Sequence, residues 1–293
     1  MSVSADLIKK LREETQAGIG DCKKALEETG GDIVAAKEQL RKIGAIKAVK
    51  KADRVTSDGV VVVVSAGSAA ILLELGCETD FVARNERFQK LSIEIANAAL
   101  NAKTDDIAKI ENLPILSGMK VSDAIIDATT ALGEKIRIAR ALFVELKAQD
   151  GVISYYIHGQ FSEGVGKIGA IVCIESKGNQ EEIRRLGKQL AMHVVATKPS
   201  ALSVDLLSPE ILHKERDLIT EQVKAMNKPE SVANKVIDGM LSKFYQDVVL
   251  LEQIFIMDNK TKVSDLLKAA ESQIGASIKI IDYAIFTVGE SVS

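Results

Sequence analysis

The sequence predicts an α+β protein with an N-terminal three-helix module, two tandem α+β core subdomains, an inserted helical hairpin and a C-terminal helix and strand. Three observations predict this class. Apolar residues recur at helical spacing through residues 1–45, β-branched runs begin after Gly59, and a strand–strand–helix pattern then occurs twice. A chain of 293 residues is long enough to bury the cores that this arrangement requires.

Residues 1–45 are predicted to form the three-helix module. Ser4, Asp21 and Asp32 can each cap a helix, because their side-chain oxygens accept hydrogen bonds from the backbone of the first turn. Glycines interrupt the pattern between the runs, and the third helix is expected to end near Gly44. Three helices in so short a segment make a small bundle, comparable to ubiquitin-associated domains.

Residues 46–58 are predicted to be a basic helical linker. Its cations are Lys47, Lys50, Lys51 and Arg54. A run of charges usually lies on a solvated face, and contact with a partner is the alternative.

The first core subdomain is predicted to span residues 59–146. Two apolar runs separated by a short Gly-containing turn indicate a β-hairpin, and an amphipathic helix, a second helix and a further strand follow. These elements are Val60–Val64, Ile71–Leu75, Arg87–Leu100, Ser122–Leu132 and Ile136–Leu146.

The second core subdomain, residues 147–288, repeats the pattern. Its first elements are the strands Gly151–Ile157 and Ile168–Ile174 and the helix Glu181–Val195. A helical hairpin is predicted at about 209–251, with its turn at Asn227-Lys228-Pro229, and a C-terminal helix and strand at about 260–288. The sequence leaves open whether the hairpin forms a homodimer or only projects from the core.

No catalytic, metal-binding or cofactor-binding motif is found in the sequence. His158, His193 and His213 lie on three different elements without metal-site spacing, and His193 is predicted to be a core residue. The glycines of Gly164–Gly169 are predicted to turn a hairpin, because no helix N-terminus follows to hold a phosphate. We therefore expect a protein without catalytic residues, metal or cofactor, with an enzyme of unfamiliar site as an alternative.

The net charge and the apolar pattern argue against two kinds of partner. A net charge of -3 gives no basis for direct nucleic-acid binding, and the longest apolar run, Val60–Val64, is far too short to cross a membrane. The N-terminus lacks the features of a secretory signal, and Cys22, Cys77 and Cys173 are too scattered for a disulfide framework. We expect a cytoplasmic protein.

The connection Cys77–Asn85 differs from its equivalent in the second repeat. It carries the apolar pair Phe81-Val82 among charged residues, whereas Glu175–Asn179 is polar throughout. An aromatic side chain in a surface connection is a good anchor for a partner. The alternative is that Phe81 folds back as a hydrophobic staple at the start of the following helix.

The segment Thr79–Arg84 resembles the signature of bacterial elongation factor Ts. The chain is similar to that family in collinear order from about Ser4 to Gly289. The other matching segments are Leu11-Arg12, Ala17-Gly18, Asp21–Leu26, Gly44–Ala48, His158-Gly159, Ala191–His193 and Lys198-Pro199.

The resemblance implies that the partner is elongation factor Tu, in its GDP-bound and nucleotide-free forms, and that this protein accelerates GDP release. Thr79, Asp80, Phe81 and Val82 would displace the partner's magnesium ion, with Phe81 as a wedge between two partner helices. Supporting contacts are implied for Arg12, Ile19, Lys23, Lys51 and His158.

Two segments depart from the family pattern. Ile19-Gly20 replaces a pair of bulky apolar residues, and Glu252–Phe255 replaces a common Gln-Pro-Phe. Two other classes of protein compete with the exchange factor. A scaffold would bind proteins through the helical module and the hairpin, and an RNA-binding accessory would use Lys47–Arg54, with an affinity that falls steeply with salt.

Overall fold

The chain folds into two compact units in a computed structural model. The residues that the structure describes are 3–15, 17–147, 150–226 and 229–290. The first unit comprises Met1–Glu145, Ile157–Gly169 and Phe286–Ser293, and the second comprises Leu146–Tyr156 and Ala170–Ile285. The predicted α+β class is confirmed. The first unit is assembled from three separate segments, which a division of the sequence near residue 146 does not anticipate.

The N-terminal module has three helices, α1 (Ala5–Thr15), α2 (Ile19–Glu28) and α3 (Ile33–Lys50). Its buried apolar core is formed by Leu11, Ala17, Cys22, Ala25, Leu26, Ala36 and Leu40. Two predicted caps are confirmed, since Ser4 Oγ accepts from Leu7 N and Asp32 Oδ1 accepts from the first turn of α3. The predicted cap at Asp21 is wrong. Helix α2 begins at Ile19, with Gly18 as its N-cap, so that Asp21 lies inside the first turn.

The first sheet has the strand order β3-β2-β1-β5. Its strands are β1 (Asp58–Ala66), β2 (Ala69–Cys77), β3 (Arg137–Glu145) and β5 (Val165–Gly166). All neighbouring strands are antiparallel, and β1 and β2 form the predicted hairpin. The helices of this core are α4 (Asp80–Ala83), α5 (Glu86–Asn101), α6 (Ile107–Ile110) and α7 (Val121–Leu132). Helix α5 packs against β1 and β2 and buries Phe88 and Ile95.

The second sheet has the strand order β4-β6-β7. Its strands are β4 (Gly151–His158), β6 (Ile168–Glu175) and β7 (Lys279–Thr287). The accompanying helices are α8 (Gln180–Thr197), α9 (Pro209–Ala225), α10 (Glu230–Val248) and α11 (Val263–Ile274). The order β4, β6, α8, α11, β7 repeats β1, β2, α5, α7, β3, with the α9–α10 hairpin inserted. Of the predicted hairpin turn, Asn227 and Lys228 lie outside the described residues.

Gly164–Gly166 does not simply turn a hairpin between β4 and β6, as the sequence predicted. Val165 and Gly166 instead form β5 on the edge of β1, and Val63 N donates to Gly164 O at 2.9 Å. Gly164 has a φ of +71°, and a Cβ there would lie 2.9 Å from Val63 O. Glycine is therefore required by the close strand pairing.

Helix α3 does not end near Gly44 but continues to Lys50, through the first part of the predicted linker. Gly44 lies against Thr130 and Ile126 of α7, where a Cβ would collide with the Thr130 hydroxyl. This glycine permits close helix packing and does not terminate the helix. Within the described ranges, no helix is both long and apolar enough to span a bilayer.

Candidate functional site

The segment that carries Phe81 is a one-turn helix, α4, and not the open loop that the sequence suggested. Thr79 is its extended N-cap residue, and Arg84 N donates to Asp80 O at 3.0 Å. Helix α5 follows almost at once, with Asn85 as its N-cap accepting from Arg87 N at 2.9 Å. Phe81 therefore lies on regular backbone between two defined elements.

Phe81 points away from the protein while its two successors point inward. Phe81 is 82% exposed, whereas Val82 is 7% exposed and Ala83 is fully buried in the first core. Because successive residues of a helix point about 100° apart, burial of Val82 and Ala83 directs Phe81 outward. The alternative in which Phe81 folds back as a staple is therefore wrong.

The backbone before α4 is held by the Glu134 carboxylate. Glu134 accepts from Glu78 N at 3.0 Å, Thr79 N at 2.9 Å and Thr79 Oγ1 at 2.5 Å. The Thr79 hydroxyl is thus directed to Glu134 and does not cap α4. Sequence reasoning missed Glu134, which follows the end of α7 and shows no local pattern that connects it to Thr79.

A second carboxylate, that of Glu78, connects the same backbone to Arg54 of the predicted basic linker. Glu78 accepts from Lys135 N at 2.7 Å and forms an ion pair with Arg54 at 3.2 Å. The backbone N–H of Lys135, and then the Arg54 guanidinium, lower the pKa of Glu78. Lys51 Nζ donates to Gly133 O at 2.5 Å. Lys51 and Arg54 of the predicted basic linker therefore make contacts within the protein.

Asp80 is linked to a second segment of the first unit. Its carboxylate lies 3.6 Å from the Arg84 guanidinium, which lies over the Phe161 ring at 5.2 Å from the ring centre. Lys167 Nζ lies 5.3 Å from the same ring centre, and Lys167 N donates to His158 O at 3.0 Å. The exposed His158 is therefore joined through its backbone to Lys167, whose side chain lies over the Phe161 ring.

Three other predicted contact residues lie on the helices of the N-terminal module. Arg12 and Lys23 are exposed, and Ile19 is 62% exposed at the start of α2. Ile19 and Lys23 are one turn apart and share a helix face. Lys23 also lies 3.8 Å from Glu27. Lys51 contacts Gly133, next to the Glu134 that holds Thr79, whereas Arg12 lies on α1 and Ile19 and Lys23 lie on α2.

Two potentially reactive side chains, Cys77 of the first unit and His193 of the second, are buried. Cys77 is buried beside the Thr79 turn, where its Sγ donates to Thr79 O at 3.1 Å, and burial raises its pKa to about 12. His193 is also fully buried, as predicted, with Nε2 3.0 Å from Gln253 Oε1. Among the described residues, no group of three or more His, Cys, Asp or Glu side chains could hold a metal ion.

The repeated core pattern, the three-helix module and helix α4 define an α+β protein that displays the Phe81 side chain on a hydrogen-bonded turn. We call residues 78–84 the Phe81 turn. A family model described as Elongation factor TS matches residues 78–290. Elongation factor Ts of Wolbachia pipientis wMel is 45% identical over 291 residues, which cover 99% of this chain and 100% of that protein. The corresponding protein of Ehrlichia chaffeensis is 46% identical over 290 residues, covering 99% and 100%.

The chain belongs to the elongation factor Ts family, a family of translation elongation factors. The resemblance seen in Thr79–Arg84 and along the chain is thereby confirmed. The roles of individual residues stay predictions.

Proposed function

We propose that this protein is a guanine-nucleotide exchange factor that binds GDP-bound elongation factor Tu and accelerates release of GDP, so that GTP can bind. Membership of the elongation factor Ts family supports the partner and the role in translation. The observation that carries the mechanism is Phe81, which is 82% exposed although its immediate successors are buried.

The Phe81 turn suits a wedge for two physical reasons. Burial of an exposed Phe side chain in a partner stabilises the complex by about 2 kcal/mol. The turn is also held before binding by Glu134, Val82 and Ala83, so that little further conformational entropy is lost when the partner is engaged.

Displacement of a magnesium ion in the partner would explain faster GDP release. Magnesium bridges and neutralises nucleotide phosphates, and its removal weakens nucleotide binding. In this proposal Phe81 separates the elements around that site with Asp80 beside it, while Thr79, bonded to Glu134, and the buried Val82 hold the backbone that presents them. By thermodynamic linkage, a factor that weakens nucleotide binding is itself released when nucleotide binds.

The N-terminal module and the neighbouring segments would hold the partner while the wedge acts. In this proposal Arg12, Ile19 and Lys23 of the module contact the partner, and Lys51 and His158 supply further contacts. We propose that the protein has no enzymatic chemistry and needs no cofactor. We also propose that it works in the cytoplasm without direct contact with nucleic acid or membrane.

The test is release of a fluorescent GDP analogue from purified elongation factor Tu. We expect acceleration by the wild type and a loss of roughly thirtyfold for Phe81→Ala, which is what about 2 kcal/mol represents. Leu116→Ala is the matched control, because Leu116 is a 91% exposed apolar side chain of the same unit. This control should behave like the wild type.

The competing classes of protein predict other results. A wild type that does not accelerate release would overturn the exchange function and favour the scaffold. Normal acceleration by a folded Phe81→Ala variant would overturn the wedge alone. The RNA-binding alternative requires steeply salt-dependent RNA affinity, although Arg54 is already paired with Glu78.

A further inference from the structure

The three residues Gly133, Glu134 and Lys135, between α7 and β3, contact two predicted partner-binding segments at once. We call them the 133–135 link. Glu134 holds the backbone that leads into the Phe81 turn. Gly133 O and the Lys135 side chain hold the segment around Lys51, which follows α3.

On the side of the turn, one carboxylate receives three donors. Two are consecutive backbone N–H groups, those of Glu78 and Thr79, and the third is the Thr79 hydroxyl. These bonds fix the backbone at the point where the chain leaves β2. The direction of the Phe81 side chain depends on the backbone conformation at Thr79, two residues earlier.

Helix α4 cannot hold this direction by itself. It has four residues, and a single helical turn forms too few hydrogen bonds to be stable alone. Val82 and Ala83 anchor its inner side in the core. At its start, the Glu134 carboxylate holds two consecutive backbone N–H groups, those of Glu78 and Thr79.

On the other side, the 133–135 link contacts Lys51, Ala52 and Arg54 of the predicted basic linker. Lys51 Nζ donates to Gly133 O at 2.5 Å. Lys135 Nζ donates to Ala52 O, and to Arg54 O at 2.9 Å. A shift of the link would therefore move Lys51 and the Phe81 turn together.

We propose that Glu134 is a positioning residue for nucleotide exchange, which acts by directing Phe81 through Thr79. The inference rests on the exchange function proposed above. It assigns a role to a residue that lies 55 positions from Thr79 and that carries no recognisable motif.

The first experiment compares Glu134→Ala with the wild type in the GDP-release assay. Hydrogen bonds to a charged group contribute about 1.5–3 kcal/mol, so we expect a loss of at least about tenfold. Glu145→Ala is the matched control. Glu145 ends β3 in the same unit and forms an exposed ion pair with Lys103 at 2.5 Å, and its removal should leave exchange unchanged.

A double variant separates positioning from general destabilisation. If Glu134 acts through Phe81, adding Glu134→Ala to Phe81→Ala should cause little further loss. The same fold loss in both backgrounds would overturn the proposal. Should Glu134→Ala fail to fold, Thr79→Val, which removes only the hydroxyl hydrogen bond, replaces it in the same comparison.

Amide hydrogen exchange tests the local contact without any partner. The Glu78 and Thr79 amides should exchange faster in Glu134→Ala, while the β1–β2 amides keep their protection. Unchanged exchange at these two amides would overturn the inference. An active wild type with a fully active Glu134→Ala variant would overturn this inference alone, whereas an inactive wild type would overturn the exchange function as well.

Discussion

At the scale of single residues, burial of a neighbour decides what an exposed side chain can do. Phe81 and Val82 are adjacent and both apolar, but only Val82 enters the core. From the sequence, Phe81 could be either an anchor for a partner or a hydrophobic staple, because an apolar pair before a helix is compatible with both roles. Burial of Val82 and Ala83 in the core distinguishes the two roles, because it leaves the Phe81 side chain exposed.

His193 shows the opposite case, a polar side chain that is fully buried and satisfied. Its Nε2 lies 3.0 Å from Gln253 Oε1, and its Nδ1 accepts from Ile256 N at 3.3 Å. Burial lowers the pKa of His193, and the hydrogen bond with Gln253 opposes this only partly. The sequence predicted a core histidine from the apolar residues around it, but not its partners.

The lowered pKa predicts a loss of stability in acid. Below about pH 6.5 the unfolded chain takes up a proton at His193 that the folded protein does not, so unfolding becomes more favourable as the pH falls. We expect the free energy of urea unfolding to decrease between about pH 7.5 and about pH 5.5. His193→Gln should show a smaller decrease, and an equal decrease would contradict the assignment.

At the scale of secondary-structure elements, apolar spacing predicts the long segments well and does not predict the short ones. The hairpin β1–β2 and helices α5 and α8 follow directly from apolar spacing. The elements α4, α6 and β5 have two to four residues, too few for a period to be visible. Strand β5 forms because Val165 and Gly166 pair with the edge of β1, whose residues are far away in the sequence.

The sequence predicts helix α3 to be shorter than it is, for a related reason. A glycine near the end of an apolar pattern usually indicates a helix stop, but Gly44 faces Thr130 of α7. The glycine is needed for contact between helices, and single-sequence periodicity cannot distinguish this from a stop. The link from Glu134 to Thr79 was missed in the same way, since it joins residues far apart in the chain.

The packing of α3 on α7 predicts the effect of Gly44→Ala. The added Cβ would collide with the Thr130 hydroxyl, and we expect a destabilisation of about 1–3 kcal/mol in urea unfolding. Thr130→Ala, added to it, should restore part of this loss. Gly20→Ala is the control, because a Cβ there meets nothing within 4 Å and should be neutral or stabilising. Equal effects at both glycines would contradict this packing.

At the scale of the whole molecule, the chain returns to the first unit at Phe286, after the second unit ends at Ile285. The returning segment is held by a buried ion pair between Glu74 and Arg140, with atoms 2.7 Å apart. Arg140 Nη2 donates to Thr287 O at 2.7 Å, and Gly289 N donates to Glu74 Oε1 at 2.9 Å. The sequence suggested two consecutive subdomains, because strand patterns do not show which unit a later segment joins.

This network predicts that Arg140→Met is strongly destabilising. Removal of one partner leaves Glu74, 3% exposed, as an uncompensated buried charge, and the expected cost is about 3–5 kcal/mol. Lys103→Met removes an exposed ion pair of the same unit and should cost less than about 1 kcal/mol. Urea unfolding measures both, and similar small losses would show that the Glu74 pair is not buried in solution.

The contact between Glu74 and Gly289 also has a consequence for synthesis. These residues are 215 positions apart, so Glu74 has been translated long before its last partner exists. A nascent chain can form the N-terminal module and the β1–β2 hairpin early, because their contacts are local. The first unit can be completed only after Thr287 and Gly289 have left the ribosome, and until then Arg140 and Glu74 lack these two hydrogen bonds.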